Sequence, residues 1–157
     1  MSGMRALRAG VALATVGAAL LSAPGALASG PYAIDAHVDG VAGGGNYAPS
    51  SYHWNEPFEI TFTHTTDASS VALMALAQGH QDVGSAVVRQ TLQGTAVVTL
   101  QMSGVRIEVV REDGNVNSPS GPEETVVLRF RKVVYTYQPV TPTGQKNGPP
   151  VTFAFNR

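Results

Sequence analysis

The chain contains no cysteine. It therefore has no disulfide to staple it, no thiol nucleophile and no Cys-based metal site. Charge is sparse too: Asp, Glu, Lys and Arg make up 13% of the 157 residues and leave a formal net charge of −1. So even a balance offers no basic footing for nucleic acid. No Gly-x-Ser-x-Gly elbow occurs, and Gly43-Gly44-Gly45 lacks the lysine and helix that follow in a phosphate loop. The acidic pairs Glu112-Asp113 and Glu123-Glu124 are sequence neighbours. On a strand such neighbours point to opposite faces, so neither pair is an acid/base couple. His37, His53, His64 and His80 fall in different segments, and none has the i,i+4 spacing of helical metal ligands. His37 between Asp35 and Asp39 reads as the wet face of a strand, and His64 with Asp67 as a strand end beside a helix cap. No cofactor, metal or catalytic residue is expected.

There is also no apolar run of membrane-spanning length. Arg5 and Arg8 precede the uncharged stretch Ala9 to Leu21, and then come Pro24 and Ala26-Leu27-Ala28. A charged start, a short apolar stretch and an A-x-A end are the three parts of a secretory signal. A retained anchor is the alternative, but the run falls short of the roughly 20 residues that a span requires. The expected organisation is a signal peptide over residues 1–28, with Ala26 and Ala28 at the cleavage site, and one domain over 29–157. The domain would lie outside the cell or on the envelope exterior, with no membrane association once the signal is gone. Loss of Arg5 and Arg8 takes the formal charge from −1 to −3. Without disulfides, such an exported domain is held by its core or by partners, and its size permits a sufficient core.

What the chain does have is period-two patterning. Tyr32, Ile34, Ala36 and Val38 alternate with polar residues, which predicts a strand. Gly40 to Ser51 reads as a flexible loop. Trp54, Phe58, Ile60 and Phe62 share one parity, predicting a strand that begins near Pro57 or lies on an edge. The period then changes. Asp67 is a fitting N-cap, Val71, Met74, Ala75 and Gln78 share a helical face with Leu73, Leu76 and Ala77 alongside, and Gly79 is a fitting C-cap. A core helix over 67–79 follows. Four strand-like stretches come next. Ala86, Val88 and Leu92 alternate, as do Ala96, Val98, Leu100 and Met102. After Gly104 the parity changes to Val105, Ile107 and Val109, which predicts a bulge or corner there. Val126, Leu128 and Phe130 give way to Val133, Tyr135 and Tyr137 at a second changeover, near Lys132. Two long bent strands suit a small closed barrel. The polar stretch Arg111 to Glu123 reads as a long hairpin loop, residues 139–150 as a proline-rich connection, and Val151, Phe153 and Phe155 as the last strand.

Several of these pieces resemble Hcp, the tube protein of type VI secretion systems. The likeness runs from Phe58 to Phe155. It is carried by the segment Glu124 to Pro139 with its Tyr137-Gln138-Pro139 ending, and by Asp67-Ala68-Ser69-Ser70-Val71-Ala72-Leu73-Met74, where the family opens its helix on a similar Asp-x-Ser-Ser. Gly79-His80, Ala86-Val87-Val88-Arg89 and Gly148-Pro149-Pro150-Val151-Thr152-Phe153 follow in the family's order. The resemblance implies a mainly β fold: a small β-barrel of two antiparallel sheets with one short α-helix. It further implies a hexameric ring, rings stacked into a tube, and a lumen that carries effector proteins. Two departures are visible. The space between the first strand and the strand before the helix is short, so a family strand looks shortened or missing there. Ala154-Phe155 also replaces the usual Gly-Trp of the last strand.

The expected function is an exported, non-catalytic Hcp-like structural protein that forms a homo-oligomeric ring or tube, with an effector or cell-surface partner. Arg111, Glu112, Asp113, Asn115 and Asn117 are its interface candidates. The alternative is a monomeric extracellular binding module for glycan or cell-surface ligands, with Tyr47, Tyr52, Trp54 and the 111–123 loop as the contact surface.

Overall fold

The computed structural model describes residues 31–114 and 118–157. Ala26, Ala28, Asn115 and Asn117 lie outside them. Nine strands and one helix follow in the order β1 (Tyr32–Val38), β2 (Asn46–Tyr47), β3 (Ser51–Glu56), β4 (Glu59–Thr65), α1 (Ser70–Gln78), β5 (Asp82–Leu92), β6 (Thr95–Asp113), β7 (Glu123–Arg129), β8 (Lys132–Tyr137) and β9 (Val151–Asn156). The mainly β expectation with a single short helix is met. All nine strands join through antiparallel ladders into one continuous sheet, where two were expected.

The nineteen residues of β6 are the spine. One edge of its first half carries β5, and its other edge carries β8 and then β7. From these branch β1 and β2 beyond β5, β4 and β3 beyond β7, and β9 beyond β8. The bend at Gly104 lets one strand serve both halves. Gly84 pairs with Val105 and Ser85 with Ser103, so Gly104 is the extra residue of a bulge, at φ 62°. Leu100 and Met102 before it, and Val105 and Ile107 after it, all face the core. A second bulge, at Glu108, flips the parity again, so Val110 packs on the core where Val109 was expected. At Phe130 and Arg131 the second expected long strand divides into β7 and β8.

Three other expectations are corrected. Trp54 and Ile60 lie opposite each other in a β3–β4 hairpin whose turn is Pro57-Phe58, and do not share one strand. A bulge between Trp54 and Glu56 keeps even-numbered residues opposite even-numbered ones, which is why one parity runs through both strands. Residues 40–51 are not wholly loop, because Asn46 and Tyr47 pair with His37 and Ala36. Gly45 is required there: a Cβ on it would stand 1.8 Å from the Val38 carbonyl oxygen. Together β2 and β3 also supply strands in the space where one seemed shortened or missing.

The helix starts at Ser70, after an N-cap at Ser69 that makes no side-chain capping bond. Asp67, the expected N-cap, instead closes the preceding turn by accepting hydrogen bonds from Ser69 N (2.7 Å) and Ser69 Oγ (2.6 Å). Gly79 is the C-cap as expected. The stripe that faces inward is Ser70 and Leu73, with Ala72, Leu76 and Ala77 partly buried against the core, while Val71 is 77% exposed. One core results, with Ile60, Phe62, Leu73, Leu100, Met102, Ile107 and Leu128 fully buried. Each such side chain contributes about 1.5–3 kcal/mol by leaving water.

Candidate functional site

The sheet's inner face does not stop where the core is covered. Met102 pairs with Val133 and Val133 with Phe155; Leu100 pairs with Tyr135 and Tyr135 with Phe153; Val98 pairs with Tyr137 and Tyr137 with Val151. Cross-strand partners share a face, so the buried row carries straight on to β9. There the cover ends. Tyr137 is 41% exposed, Val151 48%, Phe153 59% and Phe155 46%. Trp54, reaching over from β3, touches only part of this strip, edge-on to Phe155 at 5.8 Å and tilted on Tyr135 at 6.2 Å. Every residue of β9 is exposed, and β8 is its only ladder among the described residues. An edge strand with free backbone groups and an aromatic flank is a docking edge.

The interface candidates stand elsewhere. The expected loop is shorter than 111–123, because Arg111, Glu112 and Asp113 continue β6 and pair with Thr125, Glu124 and Glu123 of β7. Arg111, Glu112 and Asp113 are exposed at the far end of this ladder, away from β9.

Sequence reasoning missed a buried polar cluster beneath the helix. His64 on β4 and Glu124 on β7 are register partners, at 3% and 0% side-chain exposure, with Nε2 2.7 Å from Oε1. Ser70 Oγ donates to the same Oε1 at 2.9 Å, and Asp67 N donates to Ser70 Oγ at 3.0 Å. The Ser69 and Tyr47 hydroxyls share a hydrogen bond of 3.1 Å. Burial pushes the Tyr47 phenol up to about 12; the Ser69 bond opposes this, and the charges of Asp67 and Glu124 add to it. The available signal was parity: Glu124 shares the even, inward set of Val126, Leu128 and Phe130. Ser70 bonds to the carboxylate and not to the imidazole, so the set is no nucleophile–base relay. Its work is to pin the start of α1 to the sheet.

The other polar candidates disperse. Asp35 pairs with Arg89 at 3.3 Å, while His37 contacts Asn46 and Asp39 at 2.9 Å each. A hydrogen bond from Ser85 draws the Asp39 carboxyl below its usual range, against a smaller opposing effect of burial and with help from His37. Among the described residues no three His, Asp or Glu side chains converge as metal ligands. Tyr47, Tyr52 and Trp54 form no aromatic face. Tyr47 is buried against Phe62 and His64, Tyr52 reaches Gln90, and Trp54 packs on Tyr135. No helix among the described residues is long and apolar enough to cross a membrane.

The architecture is that of solved Hcp structures. The chain is similar to Hcp1 from Salmonella typhimurium, with a TM-score of 0.66 and 19% identity over 80% of this chain and 94% of that one. It is similar to a type six secretion system protein, with a TM-score of 0.70 and 14% identity over 80% and 95% of the two chains. A third likeness is to the secreted protein Hcp3 from Pseudomonas aeruginosa, with a TM-score of 0.59 and 10% identity over 80% and 97%. No family model matches the sequence. No curated protein matches it either. At these identities the likeness establishes the Hcp fold.

Proposed function

We propose that this is an exported, non-catalytic structural protein that assembles with copies of itself into an Hcp-like ring or tube. The observation that carries the reading is β9, the uncovered continuation of the core's inner face. A neighbour seated on Val151, Phe153 and Phe155 would complete that face, and closed cyclic symmetry would leave no such edge exposed. The described sheet has further free ends at β2 and β3, and a contact of β9 with either would join unlike surfaces, the kind that forms a ring when its rotation closes. Absence of a disulfide agrees with stability drawn from partners. The lumen of such a ring is the place for an effector, and the signal over residues 1–28 would be removed after Ala28.

Native mass spectrometry of the exported protein tests both parts. The expected result is a mass several times that of the chain beginning at Ser29, reduced to the monomer by Phe153→Asp. A wild-type protein that stays monomeric across micromolar concentrations overturns the ring. Retention of residue 1 at the N-terminus overturns the cleaved signal.

A further inference from the structure

Charge is segregated along the β6–β7 hairpin. At its tip Glu112 faces Glu124 and Asp113 faces Glu123 in the ladder, two like-charge pairs in succession, with Arg111 the one cation beside them. Like charges directly opposite are disfavoured, and among the described residues only Glu124 has a side-chain partner, His64. The second oxygen of Glu124, buried, has no hydrogen-bond partner among the described residues.

Six residues down the ladder the sign reverses. Arg106, Arg129, Arg131, Lys132 and Arg157 gather at the Phe130 corner, five of the eight Lys and Arg residues beyond residue 30. Arg157 N donates to the Arg131 carbonyl at 2.9 Å, and Lys132 pairs with Asn156, so three cations share one small patch. Arg129 is neutralised by Glu59 at 3.1 Å and Arg106 by Glu108 at 2.9 Å. Asp82 lies on the flanking strand opposite Arg106, but its carboxylate accepts from Gly84 N. Arg131, Lys132 and Arg157 make no ion pair among the described side chains. The two patches stand about 20 Å apart at the strand rise of ~3.4 Å per residue.

We infer that the acidic tip of one copy docks on the Arg131–Lys132–Arg157 corner of the next, a head-to-tail contact distinct from the apolar β9 edge. The complementarity lies within a single chain: Glu112, Asp113 and Glu123 outnumber Arg111 at the tip, and Arg131, Lys132 and Arg157 have no acidic side-chain partner among the described residues at the corner. This rests on the reading that the chain self-associates, and it assigns that association a second, salt-controlled step. Exposed charges at such a contact are screened beyond about 10 Å at 0.1 M salt, so it opens as salt rises, whereas the β9 seam does not.

Sedimentation velocity of the full chain at about 0.05 M and about 0.5 M NaCl, conditions that bracket the screening range, reads the two steps separately. The expected result is a larger particle at low salt, with the association constant falling at least about tenfold at high salt. Lys132→Glu/Arg157→Glu and Glu112→Lys/Asp113→Lys each remain at the high-salt size, and an equal mixture of the two regains the larger particle. Far-UV circular dichroism confirms their fold, and the neutral Lys132→Gln and Asp113→Asn variants supply a milder pair. A wild-type size indifferent to salt, growth unchanged in both charge-reversed variants, or a mixture that does not regain the larger particle would overturn the contact. A monomer at high salt that still grows at low salt sinks the ring and leaves this contact standing.

Discussion

His64 and Glu124 meet in the dry space under α1, with no Lys or Arg paired to the carboxylate among the described residues. Breaking a buried pair on one side strands the other member, so His64→Ala is expected to cost about 3–5 kcal/mol in denaturant unfolding. Glu124→Gln, which still offers an acceptor to Ser70, costs less. Tyr47 makes the protein sensitive to alkali. Its phenol ionises at about 12 when folded but near the ordinary 10 when unfolded, so the unfolded chain releases that proton first. Stability from this group is therefore constant below pH 10, declines as pH rises toward about 12, and levels off beyond. Burial raises Tyr52 in the same direction. Thermal midpoints measured across that range should fall less steeply in Tyr47→Phe. Parity with Val126, Leu128 and Phe130 marks Glu124 as inward, but its partner was not legible: His64 lies 60 positions away and the two meet only through β4–β7 register.

At the scale of elements, α1 divides into a residue that holds it and residues that do not. Leu73→Ala removes a fully buried side chain and is expected to cost about 2–5 kcal/mol, whereas Val71→Ala stays within about 0.5 kcal/mol. Paired urea melts decide this. The sequence located the helix by its change of period, but not its inward stripe, because a segment so uniformly apolar has no clear polar face to set its rotation. The bends of β6 show the same limit. Gly104 was visible because a glycine coincides with the parity switch; the bulge at Glu108 carries no such mark. Gly104→Ala places a side chain at φ 62° and 3.1 Å from Arg131, and is expected to lower stability by about 1–2 kcal/mol in the same assay.

Across the whole molecule, most strand segments and the helix were readable in their order, whereas β2, the β3–β4 hairpin, the β7–β8 break and the fate of β9 were not. Val151, Phe153 and Phe155 alternate just as buried strands do, and period two reports a face without saying whether anything covers it. For that reason Phe153→Asp is expected to abolish assembly while leaving the monomer's unfolding midpoint nearly unchanged, since the ring is already 59% exposed. Parallel native mass and melting measurements separate the two effects.

The wide gap between β4 and its mate β7 also bears on how the chain is made. Glu59 bonds to Arg129 70 positions later, so Ile60 and Phe62 leave the ribosome long before Val126 and Leu128 can shield them. Until then the early hairpin presents a sticky half-built surface. Productive folding thus depends on keeping the nascent stretch apart from other chains until the second half arrives.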